Sequence, residues 1–329
     1  MTQVLANPST PTPKVRAQSA AGAARVSSCV GSASRCFDAP ALLAYWHLAS
    51  LDAPTVAVVW ALAFAWAARV TLPGWTPALL ALVAWPVYIA DRLLDVRSAF
   101  RTAQADRLRQ RHYFHWQFRQ LFTPLGLISA CAAAWIIVVW MPVAIRERNS
   151  ILAAAGLAYF SSVHAGRSFP RILSRIFAPL LAKETLVALI FTAACALPAL
   201  GRATTSSSMR AHSPLWSLIP AILYFTILAL LNCQSIERWE SSESGQNSLH
   251  GSFFSGFGVF PFAVVLGLAG LVLAVALSSN HRIALLVASG AVAALLLAVL
   301  DRLRGRLTPL ALRAAADLVL LTPLPFLLR

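Results

Sequence analysis

An all-α, polytopic membrane protein with about nine transmembrane helices is the fold class this sequence predicts, and three observations predict it. Of its 329 residues 58% are hydrophobic, and only 39 are charged, 27 basic and 12 acidic. A water-soluble domain of that length has far more polar surface to cover. Apolar stretches long enough to cross a bilayer recur along the chain. Most basic residues sit between those stretches, where lipid headgroups lie, so the net charge of +15 reads as membrane contact and not as a nucleic-acid surface. Helices are the default because lipid offers a backbone no hydrogen-bond partners. The short alternating segments of an outer-membrane barrel are missing from the sequence.

Taken in order, residues 1–40 are rich in Ala, Ser, Thr and Pro and lack the apolar core of a signal peptide, which predicts a disordered tail. Residues 41–329 form the membrane domain, with spans expected near 50–70, 76–96, 120–141, 150–166, 178–200, 215–236, 252–277, 282–300 and 311–328. Five cysteines at unpaired spacings predict neither a disulfide framework nor a metal knuckle. Threading these spans puts 17 basic residues on the side of the N-terminus and six on the other. The excess places the loops at 97–119 and 237–251 in the cytoplasm, with a bacterial inner membrane as the expected location.

Three charged constellations carry chemistry. The second span ends VYIADRLLDVRSAFR, with Asp91 and Asp95 one helical turn apart on one face. Like charges at that spacing repel, and Mg²⁺ held together with substrate phosphates would relieve them. The arginines at 92, 97 and 101 would also relieve them, and a plain helix end among headgroups has the same pattern. The loop that follows is dense in arginine, with His112, His115, Tyr113, Phe114 and Trp116 among them. Guanidinium groups suit phosphate, and the aromatic residues suit a membrane surface. The two histidines lack companions at metal-site spacing.

The sixth span ends LLNCQSIERWESSES, where Asn232, Glu237 and Glu240 close the apolar run. Its loop is net acidic among basic ones, so it is either a solvated loop or a second carboxylate end. Lys183 and Glu184 interrupt the fifth span, where embedded charges usually face the bundle interior. Asp317 lies in the ninth span with Arg313 one turn back, and a structural role is expected for it.

With nine spans, an aspartate-bearing end to the second and an acidic end to the sixth, the chain resembles the UbiA superfamily of intramembrane prenyltransferases. Members carry Asn-Asp-x-x-Asp-x-x-x-Asp on the second helix, and ADRLLD matches its last two aspartates at Asp91 and Asp95. Val87 and Tyr88 stand where the family has Asn-Asp, and Glu237 and Glu240 stand in the region of a second aspartate pair. The resemblance implies a Mg²⁺-dependent transferase that moves a prenyl group from a polyprenyl diphosphate to a lipid-soluble acceptor, aromatic or otherwise. It implies metal ligation by Asp91, Asp95, Glu237 and Glu240, and diphosphate contacts from Arg97, Arg101, Lys183 and Asn232. The alternative is a non-catalytic lipid-binding or transport protein of the same fold.

Overall fold

The computed structural model describes residues 40–101, 108–164, 183–206, 213–243 and 258–328. The predicted tail, the arginines at 107, 167, 171 and 175, and the loop beyond Glu243 lie outside them. Among the described residues every regular element is helical. The helices are α1 (Ala41–Leu48), α2 (Asp52–Ala67), α3 (Trp75–Arg101), α4 (Gln110–Gln117), α5 (Arg119–Val139), α6 (Val143–His164), α7 (Lys183–Ser206), α8 (Ser213–Glu243), α9 (Val259–Ala276), α10 (His281–Leu303), α11 (Pro309–Val319) and α12 (Leu324–Leu327).

Each predicted span is met by helix over its described residues, and among the described residues five stretches are both long and apolar enough to cross a membrane: Arg119–Val139, Glu184–Thr204, Trp216–Ser241, Val259–Ala276 and His281–Arg306. A sixth arises if α1 and α2, bent by 89°, count as one broken span. Where nine spans were expected, the described residues therefore hold five or six by length and composition, and the reasons are local. Asp91, Arg92 and Asp95 lie inside α3, and Arg146, Glu147 and Arg148 lie in the first half of α6. Proline and the turn at 320–323 divide the last span into α11 and the single-turn α12.

The bundle is organised around α2, α8 and α10. Trp60 of α2 stacks on Phe225 of α8 with centroids 3.9 Å apart, and its indole N–H donates to the Leu320 carbonyl at 2.8 Å. That bond satisfies a carbonyl at the end of α11, where the helix has no partner of its own. α9 and α10 form a tight antiparallel hairpin. The Tyr224 ring of α8 wedges against it, donating its hydroxyl to the Leu266 carbonyl at 2.9 Å. Gly270 and Gly290 leave the room for that ring, as small residues commonly do between membrane helices. α3 packs between α2 and α5, and α7 lies on α2 and α8. Large apolar side chains on α5 and α9, including Leu127, Ile128, Trp135, Val265, Val272 and Val275, face outward, as lipid-contacting surfaces do.

Among the described residues two outside glycine adopt the left-handed conformation: Ser50 (φ 55°) in the elbow between α1 and α2, and Arg69 (φ 58°) just past α2. The elbow exposes backbone that must find partners within the protein. Trp85 of α3 donates to the Ala49 carbonyl at 2.9 Å, and the Ser50 hydroxyl lies 3.4 Å from Nε2 of His115 on α4.

Candidate functional site

The polar residues gather at one end of the bundle, and the elbow begins the arrangement. It folds α1 back on α2, so His47 and Asp52, five positions apart, face each other with Nδ1 2.6 Å from Asp52 Oδ2. Asp52 opens α2, where the partial positive charge of the helix N-terminus favours a carboxylate. Its Oδ1 accepts from the Ala53 N–H at 2.8 Å. Asp317 of α11 completes the group, with Oδ2 3.3 Å from His47 Nδ1. It stands in the last turn of its helix, where the dipole disfavours an anion, so it needs cationic company. Asn232 of α8 donates to Asp317 Oδ1 at 3.4 Å. His47, Asp52 and Asn232 are buried.

Next to this group, α3 contributes Tyr88, Asp91, Arg92 and Asp95. Arg92 is buried, stands over the Tyr88 ring at 5.7 Å and donates to Asp91 at 2.9 Å. Asp95 lies 3.5 Å from Nε2 of His112 on α4. The N-terminus of α4 is closed by the His112 ring, whose Nδ1 accepts the Arg109 backbone N–H at 2.9 Å. His115, fully buried, lies 2.9 Å from the Arg111 carbonyl through Nδ1, which donates as its N–H, leaving Nε2 to accept from Ser50. Burial, with Arg92 and His112 nearby, pushes its pKa down to about 4, so it is neutral at physiological pH.

α4 then reaches α8. Glu240 accepts from Arg111 at 2.9 Å and from Arg313 of α11, and Arg109 Nε lies 3.8 Å away. Arg109 also donates to the Glu240 backbone carbonyl at 3.0 Å. One turn on from Ile236, Trp239 donates to Asp301 of α10 at 2.7 Å, tying the same ends of α8 and α10. Three guanidinium groups on one carboxylate leave a local cationic excess that suits a second anion.

The predicted site residues thus fare differently. Asp91, Asp95, Glu240 and Asn232 all lie at this end, the first two through Arg92 and His112 and the third through α4. Glu237 is exposed on α8, and Arg97 and Arg101 are exposed on the last turns of α3. Lys183 is the first residue of α7, with its side chain outside the description. Among the described residues the one set of three His, Cys, Asp or Glu side chains whose ligand atoms all fall within 4.8 Å is His47, Asp52 and Asp317. Asp91, Asp95, Glu237 and Glu240 are not part of it. Sequence reasoning passed over His47 and Asp52. The available signal was two polar side chains flanking an apolar-run boundary in YWHLASLDAP, and what it could not reveal was the elbow that brings them together. No family model, curated protein or solved structure matches this chain.

Proposed function

We propose that the chain is a divergent intramembrane prenyltransferase. It takes a prenyl group from a polyprenyl diphosphate and passes it to a lipid-soluble acceptor. One observation carries the reading: the carboxylates that close α3 and the carboxylate that closes α8 share one end of the bundle, with the arginines of α4 between them. The motif ADRLLD supports it from the sequence side. In this reading the shared end faces the cytoplasm of a bacterial inner membrane.

The donor atoms fit Mg²⁺ at Asp91 and Asp95. Both supply hard carboxylate oxygens, and their side chains keep 22% and 35% exposure, enough for a cation that retains water and phosphate ligands. Glu240 fits less well as a ligand, because Arg111 and Arg313 hold its oxygen. Its role here is to hold Arg109, Arg111 and Arg313 as the guanidinium set that meets a diphosphate, ahead of the exposed Arg97 and Arg101. Glu237, exposed on α8, is the carboxylate offered to a second ion. Bound Mg²⁺ would supply charge neutralisation to the departing diphosphate. The arginines orient that group and stabilise its developing charge.

The test is binding of farnesyl and longer diphosphates to the full chain in nanodiscs, with and without Mg²⁺. Tighter binding with Mg²⁺ is expected, and Asp91→Asn with Asp95→Asn removes the Mg²⁺ effect. Absence of Mg²⁺-dependent binding at every tail length overturns the reading. A non-catalytic lipid-binding or transport protein is the second reading. It is favoured by the side-chain partners that the protein itself gives to Asp91, Asp95 and Glu240: Arg92, His112, and Arg111 with Arg313. Binding without turnover over a broad panel of acceptors would select it.

A further inference from the structure

We infer that His47, Asp52 and Asp317 form a divalent transition-metal site, separate from the Asp91–Asp95 pair and independent of the prenyltransferase reading. Three ligand atoms converge. His47 Nδ1 lies 2.6 Å from Asp52 Oδ2 and 3.3 Å from Asp317 Oδ2. Each carboxylate has its other oxygen tied back to the protein: Asp52 Oδ1 accepts from the Ala53 N–H, and Asp317 Oδ1 accepts from Asn232. Hydrogen bonds of this kind are what orient metal ligands from outside the coordination sphere. They leave one oxygen of each carboxylate and one imidazole nitrogen within 4.8 Å of one another.

A second observation comes from outside the trio. Asn232, 5% exposed and bonded to Asp317 through its amide nitrogen, has a buried Oδ1 with no hydrogen-bond partner. A buried amide oxygen left alone costs about 1–3 kcal/mol. A cation in the group would give that oxygen a role as fourth ligand. The edge of a tetrahedral zinc site, from bonds of about 2.0–2.1 Å, is about 3.3 Å. The His47–Asp317 separation already matches it. Asp52 would have to withdraw by several tenths of an ångström, within reach of a side chain on the first turn of a helix.

Charge and ligand chemistry select the ion. Two carboxylates with neutral imidazole balance a dication, and a buried site favours such neutrality. One nitrogen with carboxylate oxygens suits Zn²⁺, Mn²⁺ or Fe²⁺ in preference to Mg²⁺, which favours an all-oxygen shell. The rival occupant of the same geometry is a proton on His47, shared between two aspartates. The site joins α1, the start of α2 and α11, so a bound ion would clamp the elbow to the end of the chain.

The experiment uses the full chain in nanodiscs, stripped with chelator and then titrated with Co²⁺, Zn²⁺ and Mn²⁺. One equivalent of Co²⁺ with visible d–d absorption is expected, displaced by Zn²⁺, with a raised melting midpoint. His47→Gln lowers Co²⁺ affinity at least a hundredfold, whereas Asp91→Asn with Asp95→Asn leaves it unchanged. If His47→Gln does not fold, Asp317→Asn is read by the same criterion. Wild-type protein that takes up no Co²⁺ or Zn²⁺ at millimolar concentration overturns the inference. So does Co²⁺ binding that survives His47→Gln, or that disappears with the Asp91 and Asp95 substitutions.

Discussion

Replacing Glu240 by glutamine separates an organising carboxylate from a solvated one. At 2.9 Å and an effective dielectric constant of about 20, one Arg111–Glu240 contact is worth roughly 6 kcal/mol before desolvation. Most of that is cancelled by taking the charges out of water, but removing one partner still costs about 3–5 kcal/mol when the other stays buried. Glu240 keeps 25% of its side chain in solvent, while Arg111 and Arg313 keep 11% and 17%. Glutamine still offers an oxygen to one of them. The expected loss is therefore about 2 kcal/mol, below the fully buried figure and well above the ~0–1 kcal/mol of a surface pair.

The assay is reversible unfolding in detergent or nanodiscs, with Glu237→Gln as the control. Glu237 is exposed on the same helix, and its substitution should stay within about 0.5 kcal/mol. A double-mutant cycle of Glu240→Gln with Arg111→Gln should give a coupling of about 1 kcal/mol or more. A Glu240→Gln loss no larger than that of the control would refute the account of Glu240 as the tie between α4, α8 and α11. So would a coupling near zero.

Three more outcomes follow from the structure. His115 has its pKa lowered to about 4, so the unfolded chain takes up the proton first; its contribution is full above about pH 6.5 and is lost as pH falls toward 4. Melting from pH 7 to 4.5 should therefore fall more steeply for wild type than for His115→Asn, and parallel curves would contradict the burial argument. Arg69→Gly should stabilise by about 0.5–1 kcal/mol, because glycine accepts the left-handed conformation at φ 58° without a Cβ penalty and this exposed arginine ends α2; a loss on chemical unfolding would contradict this. Gly270→Ala should cost about 1–3 kcal/mol, since a Cβ there would lie 2.6 Å from Tyr224 Cζ, and Tyr224→Phe in the same background should recover little because the ring itself is the obstacle.

The helices were legible because lipid imposes the same demand on every residue of a span: apolar side chains and internally satisfied backbone. That demand is local, so the hydropathy of residues 252–277 or 282–300 is enough to place α9 and α10. It is silent where polar residues are paid for by tertiary partners. α3 runs through Asp91, Arg92 and Asp95 as continuous helix because Arg92 pairs with Asp91 and His112 approaches Asp95. The sequence pattern showed the aspartates, and it could not show which partner each would meet. Arginine-rich segments are similarly ambiguous. Arg97 and Arg101 lie nearer the aspartates in sequence, yet Arg109 and Arg111 reach Glu240, because α4 lies back across the end of the bundle beneath the elbow.

The elbow explains both the missed residues and the architecture of the site. Ser50 accepts a conformation that costs about 1–3 kcal/mol, and such strain persists only where the surroundings over-determine it. Here Trp85 holds the Ala49 carbonyl, and His115 meets the Ser50 hydroxyl. A straight helix would put His47 and Asp52 500° apart around the axis, hence 140° apart on its surface, at about 100° per residue. The bend turns that divergence into a 2.6 Å approach and opens the wedge into which Asp317 of α11 enters. Two neighbouring segments and a third far along the chain therefore depend on one backbone angle. Asp95 and Glu240 are joined to the same point through His112 and Arg111 of α4, whose buried His115 rests against the elbow. Disturbing Ser50 should consequently be felt at the histidine–aspartate group and at the α3–α8 carboxylates together, which no separate treatment of the two clusters would anticipate.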